Sequence, residues 1–101
     1  MFRNVNEWFA VLGERWREAA ARRGARILPP ALEPAVAEEL LELARVAAHT
    51  KERRFAPLAS FTAGLAVERL RTAKPQMTVD EAVAFLREVR EQLEREAPPA
   101  S

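Results

Sequence analysis

The stretch AHTKERRFAPLASF, residues 48–61, marks the place where one helix ends and another begins. Before it, apolar residues recur at helical spacing as far as Ala47, and within it Pro57 has the fixed φ angle that suits the first turn of a helix. The residues between these two points are mostly basic or polar, with no alternation of apolar and polar side chains. The stretch therefore predicts a helix–helix corner.

The helices on either side of this corner have recognisable ends. Pro34 is well placed as the first residue of the second helix, which ends near Thr50. The third helix is predicted to open at Pro57 with an inner face formed by Leu58, Phe61, Leu65, Ala66 and Leu70. Ser60 and Gly64 lie four residues apart and predict a groove where the alanines of the second helix approach closely.

The first helix is predicted from a capping box and a terminating glycine. Asn4 and Glu7 have capping-box spacing, apolar residues then recur as far as Arg22, and Gly24 supplies the terminator. The following residues, 25–33, contain two prolines and are predicted to form the longest connection.

The fourth helix has the clearest start signal in the chain. Thr78 and Glu81 form a capping box before an amphipathic run that should fray near Glu96, leaving residues 97–101 as a flexible tail. Four amphipathic helices with mostly short connections pack best as an up-and-down bundle. We therefore predict an all-α fold: a four-helix up-and-down antiparallel bundle made by one domain, residues 1–96.

Composition excludes several classes of site. The chain has 101 residues, of which 49% are hydrophobic and 31% charged, values that fit one compact domain. It contains no cysteine, which excludes disulfides, thiolate zinc sites and cysteine nucleophiles. Its single histidine argues against a histidine metal cluster, and we expect no metal and no cofactor.

The charge and hydropathy patterns bear on partners and location. A net charge of +1 creates no overall field that would attract nucleic acid or an anionic membrane. No apolar run approaches the roughly 20 residues that a membrane-spanning helix needs. Residues 1–7 lack the basic-then-apolar plan of a secretory signal. We expect a cytoplasmic protein without nucleic-acid or membrane partners.

Four residues at the corner, His49, Lys51, Arg53 and Arg54, are candidates for an anion site. Arginine forks fit phosphate or carboxylate groups, and free amides at the start of a helix add partial positive charge. The alternative is structural: these residues complement the negative end of the second helix and pair with glutamates of the fourth. In that case His49 and Arg53 should contact carbonyl or glutamate groups, while Lys51 and Arg54 point to water. We favour the structural interpretation.

No catalytic residue is assigned. His49 could act as a general acid or base, since its unperturbed pKa is near neutral, but no carboxylate or nucleophile is suitably spaced to assist it. Trp8 and Trp16 share one face of the first helix and are predicted to be core residues. The two tryptophans and five phenylalanines are many for one small core, which suggests a homodimer.

The middle third of the chain also resembles a known domain. The likeness lies between residues 33 and 69 and is carried by Ala48, His49, Glu52, Arg53, Ala56, Pro57, Leu58, Phe61 and Gly64. These residues resemble a small uncharacterised bacterial helical domain that occurs alone or fused to molybdopterin-guanine dinucleotide guanylyltransferases. The sequence departs from that pattern at Arg54, at Phe55 and in its added fourth helix.

The resemblance implies a link to molybdenum cofactor maturation, and it carries over no catalytic residue. The implied partner is a molybdenum cofactor guanylyltransferase or a molybdoenzyme. We therefore expect a non-enzymatic accessory or protein-interaction domain. The alternative is a small anion- or nucleotide-binding protein that uses the basic corner.

Overall fold

The computed structural model describes residues 5–96, apart from the side chain of Val5. Its helices are α1 (Val5–Arg22), α2 (Pro34–Thr50), α3 (Phe55–Ala73) and α4 (Val79–Glu96). The described range contains no strand, so the all-α prediction with four helices is confirmed. The predicted Asn4 cap and the predicted tail, 97–101, lie outside the described residues.

The chain divides into two compact units at the bond between Leu32 and Glu33. The first unit contains α1 and the segment that follows it. The second contains α2, α3 and α4.

In the first unit, α1 ends at Arg22, and Gly24 terminates it as predicted. Gly24 has a φ of +78°, the left-handed conformation that glycine adopts without steric cost. The amide of Ala25 donates to the carbonyl of Ala20 at 2.9 Å and that of Gly24 to Ala21 at 3.0 Å. These two bonds form a Schellman motif, which satisfies carbonyls that the last helical turn leaves free.

A second glycine in this unit, Gly13, permits a close backbone approach that the sequence did not predict. A Cβ atom at position 13 would lie 2.6 Å from the carbonyl oxygen of Pro30. Any larger residue would therefore push the proline-containing segment away from the middle of α1.

In the second unit, ion pairs establish the helix directions. Glu33 just before α2 contacts Arg71 near the end of α3 at 3.5 Å, so α2 and α3 are antiparallel. Glu39 of α2 contacts Arg90 of α4 at 2.9 Å, and Arg45, further along α2, contacts Glu94, further along α4, at 3.6 Å. Helices α2 and α4 are therefore parallel. This order is consistent with the predicted up-and-down bundle.

The core of the second unit is built largely from small and branched residues. Its buried members are Val36, Leu43, Ala63, Val67, Ala82 and Leu86. The predicted stripe of α2 is confirmed at Val36 and Leu43, and also at Ala47, which is buried. Pro34 begins α2 as predicted, after Glu33 in an extended conformation.

The inner face of α3 was predicted correctly at Ala66 and Leu70 but incorrectly at Leu58, Phe61 and Leu65. Helix α3 begins at Phe55, before Pro57. Leu58 and Phe61 are 60% and 66% exposed, and Leu65 is also exposed. The core face is formed instead by buried Ala63 and Val67, with half-buried neighbours Ala59, Ala66 and Leu70. Alanines let α3 approach its neighbours closely, so the larger residues lie on the opposite side of the helix.

The predicted groove at Ser60 and Gly64 is also wrong. Gly64 is exposed, and a Cβ atom there would have no other heavy atom within 4 Å beyond its local helix backbone. The hydroxyl of Ser60 donates to the carbonyl of Ala56 at 3.0 Å, a bond within the same helix. Gly64 is therefore not required for packing.

The start of α4 follows the prediction. The amide of Glu81 donates to the hydroxyl oxygen of Thr78 at 3.2 Å, which is the central bond of a capping box. The Glu81 carboxylate accepts from the Thr78 hydroxyl at 3.3 Å, and the amide of Ala82 donates to the Thr78 carbonyl at 3.1 Å. These bonds fix the first turn of α4.

Candidate functional site

The basic corner lies on the surface of the second unit. His49 is exposed in the last turn of α2, and Lys51, Arg53 and Arg54 are exposed in the turn that leads to α3. The amide of Lys51 donates to the carbonyl of Ala47 at 3.1 Å and closes the end of α2. The backbone thus forms the predicted corner, with all four candidate side chains accessible to solvent.

Lys51 and Arg54 are exposed as predicted, but the contacts of His49 and Arg53 differ from those predicted. Arg54 Nε donates to Glu52 Oε2 at 3.1 Å, and its guanidinium lies 5.9 Å from the centre of the Phe55 ring. Within residues 5–96, the side chains of His49, Lys51 and Arg53 form no hydrogen bond or ion pair. The expected partners of His49 and Arg53 are therefore absent from the described part of the chain.

Glu94 of α4 is not a partner of the basic corner, because other arginines contact it. Glu94 contacts Arg90 of its own helix at 2.7 Å and Arg45 of α2 at 3.6 Å. The predicted pairing of the corner with α4 is thus wrong, although both lie at the same end of the unit. Whether the corner binds an anion stays a prediction.

A buried carboxylate joins α2 to α4. Glu39 is 7% exposed and accepts hydrogen bonds from Arg90 Nε at 2.9 Å and from Arg87 Nε at 3.0 Å. The hydrogen bond from Arg90 is the largest cause that lowers the pKa of Glu39, and Arg87 adds to it, although burial acts in the opposite direction. Sequence reasoning missed this cluster. The available signal was that Glu39 follows Val36 by three residues and precedes Leu43 by four, which places it on the apolar stripe.

An open apolar groove lies between α3 and α4 above α2. Its cavity has a volume of about 290 Å³, and we call it the α3–α4 groove. Its principal lining residues are Leu43, Ala59, Ala66, Phe85, Val89 and Leu93. Thr62 contributes a hydroxyl to an otherwise apolar surface, so the groove is suited to apolar side chains.

The side of α3 opposite its core face carries a row of large apolar side chains. We call Leu58, Phe61 and Leu65 the α3 ridge; their spacing of three and four residues places them on one side of the helix. All three are exposed. Single exposed apolar residues are ordinary, whereas a continuous apolar surface typically marks an interaction site.

The first unit also exposes aromatic residues. Trp8 and Trp16 are 47% and 56% exposed, so the prediction that both belong to the core is wrong. Trp8 packs edge-on against Phe9, with ring centres 4.9 Å apart. Trp16 lines an open apolar hollow with Ile27 and Pro30. Partly exposed tryptophans are frequent at protein interfaces.

The sequence of the whole described region matches one family. A family model for a domain of unknown function, DUF6457, covers residues 3–98. The chain belongs to this family. Because the match extends beyond Glu96, α4 is part of the DUF6457 domain and not an addition to it. No curated protein and no solved structure shows significant similarity to the chain.

The described part of this DUF6457 chain contains neither a membrane-spanning helix nor a cluster of metal ligands. No helix within residues 5–96 combines the length and the apolar character needed to cross a membrane. In the same range, histidine, aspartate and glutamate form no group of three that could hold a metal ion.

Proposed function

We propose that this DUF6457 chain is a non-enzymatic, cytoplasmic interaction domain that binds protein through the α3 ridge and the α3–α4 groove. The main support is that Phe61 and Leu58 are exposed on α3, the same helix that forms one wall of an apolar groove. Large apolar side chains of this kind become favourable contacts when a partner removes them from water.

The shape of the groove indicates the kind of segment that would bind. It lies between two helices and above a third, so an amphipathic helix could insert apolar residues spaced by three and four positions. Leu43 lies at the floor and Val89 at one wall. Such a partner would complete the layer of helices that α3 and α4 leave open.

We further propose that the partner is a molybdenum cofactor guanylyltransferase or a molybdoenzyme. This part of the proposal rests on the resemblance of residues 33–69 to a domain fused to such guanylyltransferases. His49, Arg53 and Pro57 are among the residues that carry the resemblance.

Binding to a purified molybdenum cofactor guanylyltransferase, measured by calorimetry with the full chain, tests this proposal. Leu58→Glu should weaken binding about tenfold or more because it places a charge on the α3 ridge. Leu41→Glu is the matched control, since Leu41 is 71% exposed on α2 and lies outside both the ridge and the groove. Both variants should unfold at nearly the wild-type urea concentration.

The outcomes separate the two parts of the proposal. Equal binding by Leu58→Glu and wild type would exclude the α3 ridge as the contact. A wild-type chain that binds neither the guanylyltransferase nor a molybdoenzyme would remove the molybdenum link, and the apolar surface would then need another partner.

We also propose, as a second candidate function, that the corner binds phosphate-containing ligands. The observation that favours it is that Lys51 and Arg53 are exposed and have no ion-pair partner among the described residues. Thermal unfolding with phosphate, GMP or GTP tests it, because a ligand at 100 times its dissociation constant stabilises the fold by about 2.7 kcal/mol. This ligand-induced gain in stability should disappear in the double variant that carries both Lys51→Gln and Arg53→Gln. Unchanged melting temperatures with every ligand would refute this function.

A further inference from the structure

We infer that the α3–α4 groove selects an amphipathic helix of another protein that carries lysine or arginine along the flank facing α4. The apolar face of this helix enters the groove, and its basic flank lies beside unpaired carboxylates on the outer edge of α4. This inference rests on the proposed function, because it assumes that the groove binds protein, and it adds the charge of the partner.

The outer edge of α4 follows from the positions of the residues that line the groove. Successive residues of a helix are rotated by about 100°. One step from Phe85 leads to Leu86, which is buried in the core. Three steps fall about 60° short of a full turn and lead to Glu88, on the other side of Phe85. Three steps from each lining residue of this row reach exposed side chains, which we call the acidic edge: Glu88, Gln92 and Glu96.

The two carboxylates of the acidic edge are not neutralised. Neither Glu88 nor Glu96 forms an ion pair or a side-chain hydrogen bond with the described residues. Arg87 and Arg90 of the same helix are directed towards α2, where both contact Glu39. Helix α4 therefore pairs its charges at the closed interface and leaves negative charge beside the open groove.

The α3 wall of the groove carries no matching negative charge. Three steps from Ala59 lead to Thr62, and three steps from Ala66 lead to Arg69, which is exposed and has no ion pair in the described range. The two edges of the groove thus differ in charge. Complementary charges fix the register of a complex and disfavour wrong partners. A helix with one basic flank would then lie in only one of the two directions along the groove.

The apolar and charged parts of this surface have different roles in binding. Val89 is 42% exposed, and Phe85 and Leu93 are half-buried, so a bound helix would remove apolar surface from water. Charges at the rim of an interface act mainly on the association rate and on its dependence on salt. We therefore expect the groove to provide the affinity and the acidic edge to provide the selection.

Synthetic helical peptides test the selection directly. Three peptides share one leucine face and differ only along one flank, which carries lysine, glutamine or glutamate. Fluorescence anisotropy of the labelled peptides measures their binding to the full chain. The lysine peptide should bind about tenfold more tightly than the glutamate peptide, and the difference should shrink at high salt. Equal binding by all three peptides would overturn the inference.

Charge reversal on the chain identifies the edge. The double variant Glu88→Lys with Glu96→Lys should prefer the glutamate peptide. Glu38→Lys with Glu91→Lys is the matched control, because it changes the net charge equally at two exposed residues outside the groove lining. The control should keep the wild-type order of affinities. A reversed order in the control would assign the selection to net charge and would overturn the inference.

A single cysteine locates the bound peptide, because the chain has no cysteine of its own. The lysine peptide should slow alkylation of Val89→Cys several-fold. Thr72→Cys, which is exposed on α3 outside the groove lining, should react at an unchanged rate. Unchanged alkylation of Val89→Cys would mean that the peptide binds elsewhere. A Val89→Cys thiol that resists alkylation without peptide would mean that the chain itself covers the groove. Either result would overturn the inference.

The outcomes separate this inference from the proposed function. If all three peptides bind equally and protect Val89→Cys, the groove binds helices without charge selection, and only the inference is overturned. If no peptide binds but Leu58→Glu still weakens binding to the guanylyltransferase, the inference is again overturned while the α3 ridge remains a contact. If the peptides bind selectively but Leu58→Glu binds the guanylyltransferase like wild type, the inference stands and the ridge is excluded.

Discussion

Helix α4 meets its two neighbours in different ways. Its interface with α2 is closed and includes the buried carboxylate of Glu39, which Arg90 and Arg87 hold. Towards α3 it leaves the α3–α4 groove open, with Val89 42% exposed. A charged group thus joins the closely packed pair, while apolar side chains lie where packing is incomplete. Residue polarity alone does not indicate which face of a helix is covered.

The largest effect should come from breaking the closed interface. Arg90→Met removes the main partner of Glu39 and leaves a buried carboxylate incompletely paired, which should cost about 3 kcal/mol of unfolding free energy. Arg87→Met is the matched control. The Arg87 side chain is 51% exposed, compared with 16% for Arg90, so its removal should cost about 1 kcal/mol or less. Urea unfolding measures both. Equal losses of unfolding free energy in the two variants would contradict the expectation drawn from their difference in burial.

Replacing alanine by leucine in the core and in the groove would compare the closely packed and the open regions directly. Ala82 is fully buried in the core, and Ala82→Leu should destabilise by about 2 kcal/mol or more through overpacking. Ala66 lines the groove, where a leucine can extend into open space, so Ala66→Leu should change the unfolding free energy by less than about 1 kcal/mol. Urea unfolding measures both variants. A large loss of unfolding free energy for Ala66→Leu would mean that the groove is closed in solution.

Acid should weaken the α2–α4 interface selectively. The pKa of Glu39 is lowered in the folded state, chiefly by the hydrogen bond from Arg90. Its ionised form is therefore stabilising above the unfolded-state pKa of about 4.3, and this contribution is lost as the pH falls through the folded-state value. The melting temperature of wild type should exceed that of Glu39→Gln at neutral pH, and the gap should narrow below about pH 4. A constant gap would refute this assignment.

The smallest effect concerns the outward side of α3. Gly64→Ala should stabilise by about 0.5 to 1 kcal/mol, because alanine favours helix and meets no neighbour there. Gly13→Ala is the contrasting variant and should destabilise the first unit, where the Pro30 carbonyl lies close. Thermal unfolding compares the two. A destabilised Gly64→Ala variant would show that something packs on this side of α3.

The sequence predicted the helix ends well because local chemistry determines them. Pro34, Thr78 and Gly24 act through their own backbone and immediate neighbours, so a short window contains the necessary information. The inner face of α3 could not be predicted in this way. Both the row containing Phe61 and the row containing Ala63 are apolar, and the choice depends on how closely α2 can approach.

At the candidate sites, too, the sequence predicted the position of residues along the chain but not their contacts with other helices. The corner residues were located correctly, but the partner of Arg54 proved to be Glu52, two residues away, while His49 and Arg53 have none among residues 5–96. Glu39 received its role from arginines on a helix distant in sequence. Spacing within α2 could place Glu39 on the apolar stripe, but it could not identify those arginines.

The long sequence separation of the Glu39 contacts has a consequence for the order of folding. Its arginine partners are 48 and 51 residues away, whereas a short corner joins α2 to α3. Closing the longer loop costs more chain entropy, so the α2–α3 hairpin should form before α4 docks. Contacts made after the transition state affect mainly the unfolding rate. In stopped-flow measurements Arg90→Met should therefore unfold faster than wild type while folding at nearly the same rate.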